Sequence, residues 1–249
     1  MPIFRIIFLA GLLPCLAGAS DQSALVAQAL AAEARFDSRA ALDLFLQADA
    51  ARPNDPAVLQ KIARQYSDLT FDLADPAEQK RSCFEALAYA RRAHALAPKD
   101  PVNVLSLAIC HAKIGLYSDT RTKIENSRLV RDYTEQALAL DPAYSYAHHV
   151  LGQWHYEVAS IGAAARLFVR LVYGGLPAAS TAEAVKHLRR AVELSPQLPA
   201  HRVELGLALL ADGQREAAKR ELESALTMPK REKYDEESWR RARAALAKP

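Results

Sequence analysis

The sequence predicts an all-α fold, a solenoid of about five helix pairs closed by a C-terminal capping helix. Three observations carry this. After Ser20 no run of alternating β-branched residues is bounded by Asn-Gly or Gly-Gly turns, so strand signals are absent. Apolar residues recur instead at spacings of three and four, broken at Asn54-Asp55-Pro56, Lys99-Asp100-Pro101 and Asp141-Pro142. Small residues, finally, return in one fixed register. Composition agrees: 51% hydrophobic and 24% charged residues over 249 positions describe a folded chain and exclude disorder over most of it. With 32 basic against 29 acidic residues, a net charge of +3 speaks against nucleic acid as a partner.

The elements follow in order. Residues 1–19 read as a signal peptide: a cationic start to Arg5, an apolar stretch from Ile6 to Ala17, and small residues at Ala17 and Ala19. Twelve apolar residues span about 18 Å as a helix, short of the roughly 30 Å hydrocarbon core. Cleavage and a periplasmic or secreted product are therefore expected, with an uncleaved membrane anchor as the alternative. From residue 20 onward, each helix pair has a small residue at the packing point of its first helix, at Ala29, Ala63, Ala108, Gly152 and Gly206. The second helix carries Ala41, Ala86, Val130, Ala184 or Ala218, always followed seven residues later by alanine at 48, 93, 137, 191 and 225. Proline then forces the turn at Pro53, Pro98, Pro142, Pro196 and Pro229. This is the pattern of tetratricopeptide (TPR) repeats, in which a helix pair recurs every 34 residues or so.

In the first and last units the two small residues are twelve apart (29 to 41, 206 to 218), as an uninterrupted repeat requires. The middle three gaps are 23, 22 and 32 (63 to 86, 108 to 130, 152 to 184), so these units carry insertions, the longest at about 160–180. The segment from Glu232 to Leu246 reads as the polar cap such a stack needs. One repeat domain over 20–249 is expected. Folding back near residue 99 offsets Cys83 from Cys110 by five residues, about 7.5 Å along the helix axis. That offset opposes a disulfide, and both cysteines are expected as small buried residues.

No motif for catalysis or a cofactor emerges. His148 and His155 share a helix face but stand two turns apart, about 10.5 Å, too far for one ion. No HExxH, CxxC, G-x-S-x-G or phosphate loop accompanies them. A non-catalytic binding protein is expected, without metal or cofactor. In a TPR stack the groove is lined by first-helix positions, here Gln60, Arg64 and Ser67; Leu105, Ile109 and Ala112; His149, Gln153 and Tyr156; Val203, Leu207 and Leu210. This lining suits an apolar helix or an acyl chain, so a protein or peptide partner leads and a phospholipid or membrane surface is the alternative. The 160–180 insertion has Leu167, Phe168, Leu171 and Val172 at helical spacing. These residues are expected to roof an apolar pocket beside Val203, Leu207 and Leu210, with Arg166 and Arg170 at its rim. Trp154 is expected to wedge between the fourth unit and the insertion.

The run His149-Val150-Leu151-Gly152-Gln153-Trp154-His155-Tyr156-Glu157-Val158-Ala159 resembles the TPR-like domain of the regulator of microtubule dynamics protein family. So do the Pro177 to Thr181 entry to the next helix and Lys123-Ile124 followed by Tyr133. The resemblance covers roughly residues 75–229. It implies a non-enzymatic helical-repeat protein; eukaryotic members are tied to microtubules, and one to organelle contact sites with phospholipid binding. The amino terminus differs from theirs and is similar to a bacterial export signal.

Overall fold

The computed structural model describes residues 14–247, which form twelve α-helices and no strand. The expected signal segment lies outside the described residues up to residue 13. The helices are α1 (Pro14–Ala34), α2 (Ser38–Ala51), α3 (Pro56–Leu69), α4 (Pro76–Leu96), α5 (Pro101–Leu116) and α6 (Thr120–Leu140). They continue as α7 (Ser145–Ala159), α8 (Ala163–Tyr173), α9 (Thr181–Leu194), α10 (Pro199–Ala211), α11 (Arg215–Leu226) and α12 (Asp235–Leu246). Five pairs result: α1 with α2, α3 with α4, α5 with α6, α7 with α9, and α10 with α11. The helix α8 is the insertion and α12 the cap. First helices of adjoining units also touch, α3 against α5 and α7 against α10.

Local chemistry sets the boundaries. Asp37, Asp55, Asp75, Asp100, Asp119 and Ser180 each accept a hydrogen bond from an amide in the first turn of the helix they open. Proline occupies the first turn of α3, α4, α5 and α10, where its missing N–H costs nothing. The insertions in the second and third units lengthen helices: α4 and α6 have 21 residues each, whereas α2 and α9 have 14.

The register of small residues is the core itself. Ala29, Ala63, Ala108, Ala41, Ala86, Ala184 and Ala218 are buried, as are the alanines at 48, 93, 137, 191 and 225. At the two glycine positions the helices approach more closely still. A Cβ on Gly152 would lie 2.5 Å from Leu188 Cγ, and one on Gly206 would lie 2.6 Å from Leu222 Cγ. Any side chain there forces the pair apart. Cys83 and Cys110 are free thiols in one buried cluster with Ala86, Leu107 and Ile114. Burial pushes the Cys110 thiol up to about 12.

Candidate functional site

The groove expected to receive a partner is crossed by the chain's own C-terminal segment, which meets it at Arg64, Tyr146 and His149. Residues 228–234, between α11 and α12, form a strap across the first helices of the stack. Glu232 accepts hydrogen bonds from Arg64 on α3 and from the Tyr146 hydroxyl on α7, the latter at 2.5 Å. Lys233 donates to Phe36 O at 2.9 Å and pairs with Asp72 at 2.8 Å, so the strap reaches the turns of the first two units. Lys230 stands 4.9 Å from the Phe36 ring centre. The buried Asp235 carboxylate accepts from the amides of Arg231 and Glu232, both at 2.7 Å, and fixes the turn into α12. Burial works against the Arg64 charge, but Glu232, Asp68 and Glu33 outweigh it and raise its pKa.

The cap completes this closure. On α12, Arg241 forks onto the Glu204 carboxylate of α10, its second contact at 3.2 Å. Glu204 is only 3% exposed on its side chain, and burial raises its pKa against the pull of Arg241. Ala242 joins Val203, Leu222 and Ala225 in one buried cluster, with Leu207, Leu210 and Leu246 packed on it. The Trp239 indole donates to Ala225 O at 2.9 Å.

The expected groove residues fall in different places. Arg64 is held by Glu33, Asp68 and Glu232. Ile109 packs partly buried on Val104, Leu105 and Ala137. His149 is buried, its Nδ1 3.0 Å from Nδ1 of His201, with the Tyr234 ring 6.5 Å away. Burial, helped by Arg241, lowers His149 to about 4, and burial beside His149 lowers His201 to about 2. Gln153 donates to Glu157 at 3.3 Å, and Tyr156 packs partly buried against the α9–α10 core. Leu105, Ser67 and Val203 are core residues instead of groove lining. The apolar stripe of Val203, Leu207 and Leu210 is covered by α12, whose Ala242, Ala245 and Leu246 reach it.

The insertion therefore does not roof that pocket. No residue of α8 is buried; Leu167, Phe168, Leu171 and Val172 are 52 to 75% exposed. Arg166 does not guard a rim. It donates to the carbonyls of Val158 and Ala159 at 3.2 and 3.0 Å, capping the end of α7. Arg170 is exposed. What anchors the insertion is the chain on either side of α8: Ile161, Leu176 and Ala179 pack on Trp154, Val130 and Leu151. The Trp154 indole donates to Ser127 O at 2.8 Å. Arg128 holds Tyr173 O and Gly175 O at 2.5 and 2.6 Å. Trp154 thus wedges α6 and α7 against the flanks of the insertion, and α8 itself stands off. Sequence reasoning missed the strap because Glu232, Lys233 and Asp235 match no repeat position.

The family model of regulator of microtubule dynamics protein 1-3 matches residues 25–249. The chain belongs to that family. Regulator of microtubule dynamics protein 1 of Mus musculus is 27% identical over 143 residues, 57% of this chain and 47% of that protein. Regulator of microtubule dynamics protein 3 of Xenopus laevis is 26% identical over 138 residues, 55% of this chain and 30% of that protein. This member of the regulator of microtubule dynamics family thus spans less than half the length of those relatives. A crystal structure of a thermophilic TPR protein from Thermus thermophilus superposes with a TM-score of 0.65 at 19% identity. That superposition covers 90% of this chain and 98% of the other, and establishes the TPR-like fold.

Proposed function

We propose that this chain is a non-catalytic helical-repeat docking module whose partner surface is α8, the concave groove being held by its own strap. One observation carries the reading: α12 and the strap bury against the stack, whereas the apolar face of α8 stays bare among the described residues. Four large apolar side chains on one helix of 11 residues make a patch that a soluble surface seldom keeps without use. A short amphipathic helix of this kind fits the helix-in-groove mode of protein recognition. The fold and family membership support a scaffold of this sort.

A membrane surface is the second reading, favoured by the charge of α8: Arg166 and Arg170, and no acidic residue from 163 to 173. Among the described residues no helix is long and apolar enough to cross a membrane. The experiment compares the wild type with a Leu167→Glu, Leu171→Glu variant in capture from a native extract and in sedimentation with phosphatidylserine vesicles. Loss of a specific captured protein in the variant supports protein docking. Loss of vesicle sedimentation supports the membrane reading. A variant that keeps whatever the wild type binds overturns α8 as the surface. The proposal extends to location: residues 1–19 direct export, and amino-terminal sequencing of the natural product then starts at or near Ser20. Recovery of Met1 in a membrane fraction overturns cleavage.

A further inference from the structure

Histidines gather between α7 and α9, away from the strap. One helix alone holds no site, since His148 and His155 are two turns apart. The facing helix changes this by supplying His187 and Glu183, one turn apart on α9. A ring nitrogen of His155, one of His187 and a Glu183 carboxylate oxygen all lie within 4.8 Å of one another. The His155 and His187 rings lie parallel, 7° apart, with centres at 5.9 Å. We propose that His155, His187 and Glu183 form a site for a divalent transition-metal ion of the zinc class, which staples α7 to α9.

The hydrogen-bond chain behind His187 presents its lone pair to this site. His148 Nε2 lies 3.0 Å from Pro142 O, and a carbonyl only accepts, so Nε2 carries the proton. In the neutral ring Nδ1 of His148 is then a bare acceptor. It lies 3.0 Å from Nδ1 of His187, which must donate to it. The lone pair of His187 is thereby left on Nε2, the nitrogen 3.8 Å from Glu183 Oε2. A ligating imidazole usually donates its other N–H to an orienting group in this way. His155 contributes a second unexplained feature: its Nδ1 is buried and has no hydrogen-bond partner.

Two imidazoles and a carboxylate are the nitrogen and oxygen donors that zinc and its first-row neighbours take, with water completing the shell. A tetrahedral shell with bonds of about 2.1 Å sets ligand atoms roughly 3.4 Å apart, so side-chain rotation closes the remaining gap. All three residues are half-buried, which leaves an entry path. Glu183 is paired with Lys186 at 3.0 Å, but that pair is exposed and of the kind worth little, so a divalent ion displaces it. Arg131, the nearby cation on α6, is already engaged by Glu135 at 2.9 Å.

The test titrates ZnCl2 into the chelator-treated, tag-free full chain by calorimetry, with the absorption spectrum of bound Co2+ as a second readout. The expected result is one saturable ion per chain, a raised melting temperature, and at least tenfold weaker binding in His155→Gln and in His187→Gln. His94→Gln, on α4 and outside the cluster, leaves binding unchanged. Glu183→Gln is an isosteric change at a half-buried side chain, so it decides the matter should either histidine variant fail to fold, and it too is expected to weaken binding at least tenfold. Absence of one-to-one binding overturns the site. So does binding that survives Glu183→Gln together with whichever histidine variant folds.

Discussion

Among the described residues two segments lie outside the five helix pairs, the α8 insertion and the strap with α12, and they end in opposite environments. The insertion has the more apolar sequence, with Leu167, Phe168, Leu171 and Val172 on one helix. Yet the strap, with Arg231, Glu232 and Lys233, is the one that enters the groove. The difference lies in what each segment can leave satisfied. The strap brings a carboxylate to Arg64 and Tyr146 and an ammonium to Asp72 and Phe36 O, and α12 follows with a compact alanine face for Val203 and Leu222. The insertion is tethered at both ends to α7 and α9, and Arg166 and Arg128 fix those ends through backbone carbonyls. Its flanks are committed to Trp154, and no residue of its helix is buried. Apolar content alone does not decide which segment covers a groove; complementary polar partners and tether geometry do.

Removing the strap and cap is the largest perturbation that breaks this contrast. A chain ending at Thr227 exposes Val203, Leu222 and Ala225 and removes Arg241, the partner of the Glu204 carboxylate. The expected fall in melting temperature is about 10 °C or more, since 1 kcal/mol corresponds to about 2–4 °C at this size. Circular dichroism measures it, and a melting temperature within a few degrees of the full chain refutes the strap as part of the fold. A single substitution isolates its most buried charge. Arg241→Ala strands Glu204, and breaking a buried pair by removing one partner costs about 3 kcal/mol. Urea unfolding checks this; a change under about 1 kcal/mol means that Glu204 finds water or a proton at little cost.

Much of the fold was legible in the sequence, and the reason is local. Ala41, Ala86, Ala184 and Ala218 must be small because a second helix backbone lies against them, so packing leaves its mark on residue type at fixed spacing. Gly152 and Gly206 carry the same mark more strongly. The groove was less legible. Position in the repeat gave Arg64, His149 and Leu207 correctly as residues of the first helices, but spacing holds no record of what covers them. Glu232 meets Arg64 across 168 positions, and no periodicity encodes so distant a pairing. The histidine cluster shows the same limit. His148 and His155 were visible on one helix, but His187 and Glu183, which complete the proposed cluster, lie on α9, beyond the insertion.

Acid sharpens the contrast further, because the strap side holds buried neutral histidines. Folded His149 and His201 sit at about 4 and about 2, below the ordinary value of about 6.5 for an unfolded chain. The unfolded state therefore binds protons first, and the stability these rings support is complete above pH 6.5. It is lost as pH falls from 6.5 towards 4 for His149 and on towards 2 for His201. The melting temperature is expected to decline across that window, and more gently in His149→Gln. Equal slopes in the two proteins remove His149 as a cause.

The smallest expected effect is the most telling for α8. Leu171 is 75% exposed, and its helix contributes nothing to any buried cluster among the described residues. Leu171→Asp therefore removes no core contact and buries no charge, and surface changes of this kind stay within about 0.5 kcal/mol. The lost leucine propensity of the helix costs only some tenths of that order. Urea unfolding of the purified variant is expected to coincide with the wild type, in contrast to Leu207→Asp, which places a carboxylate under α12 and destabilises. If Leu171→Asp unfolds the protein as readily as Leu207→Asp does, α8 is packed in solution against the stack, and its apolar face has an occupant within the chain. If stability is unchanged while binding is lost, the same four side chains that the fold does not use are the ones a partner does.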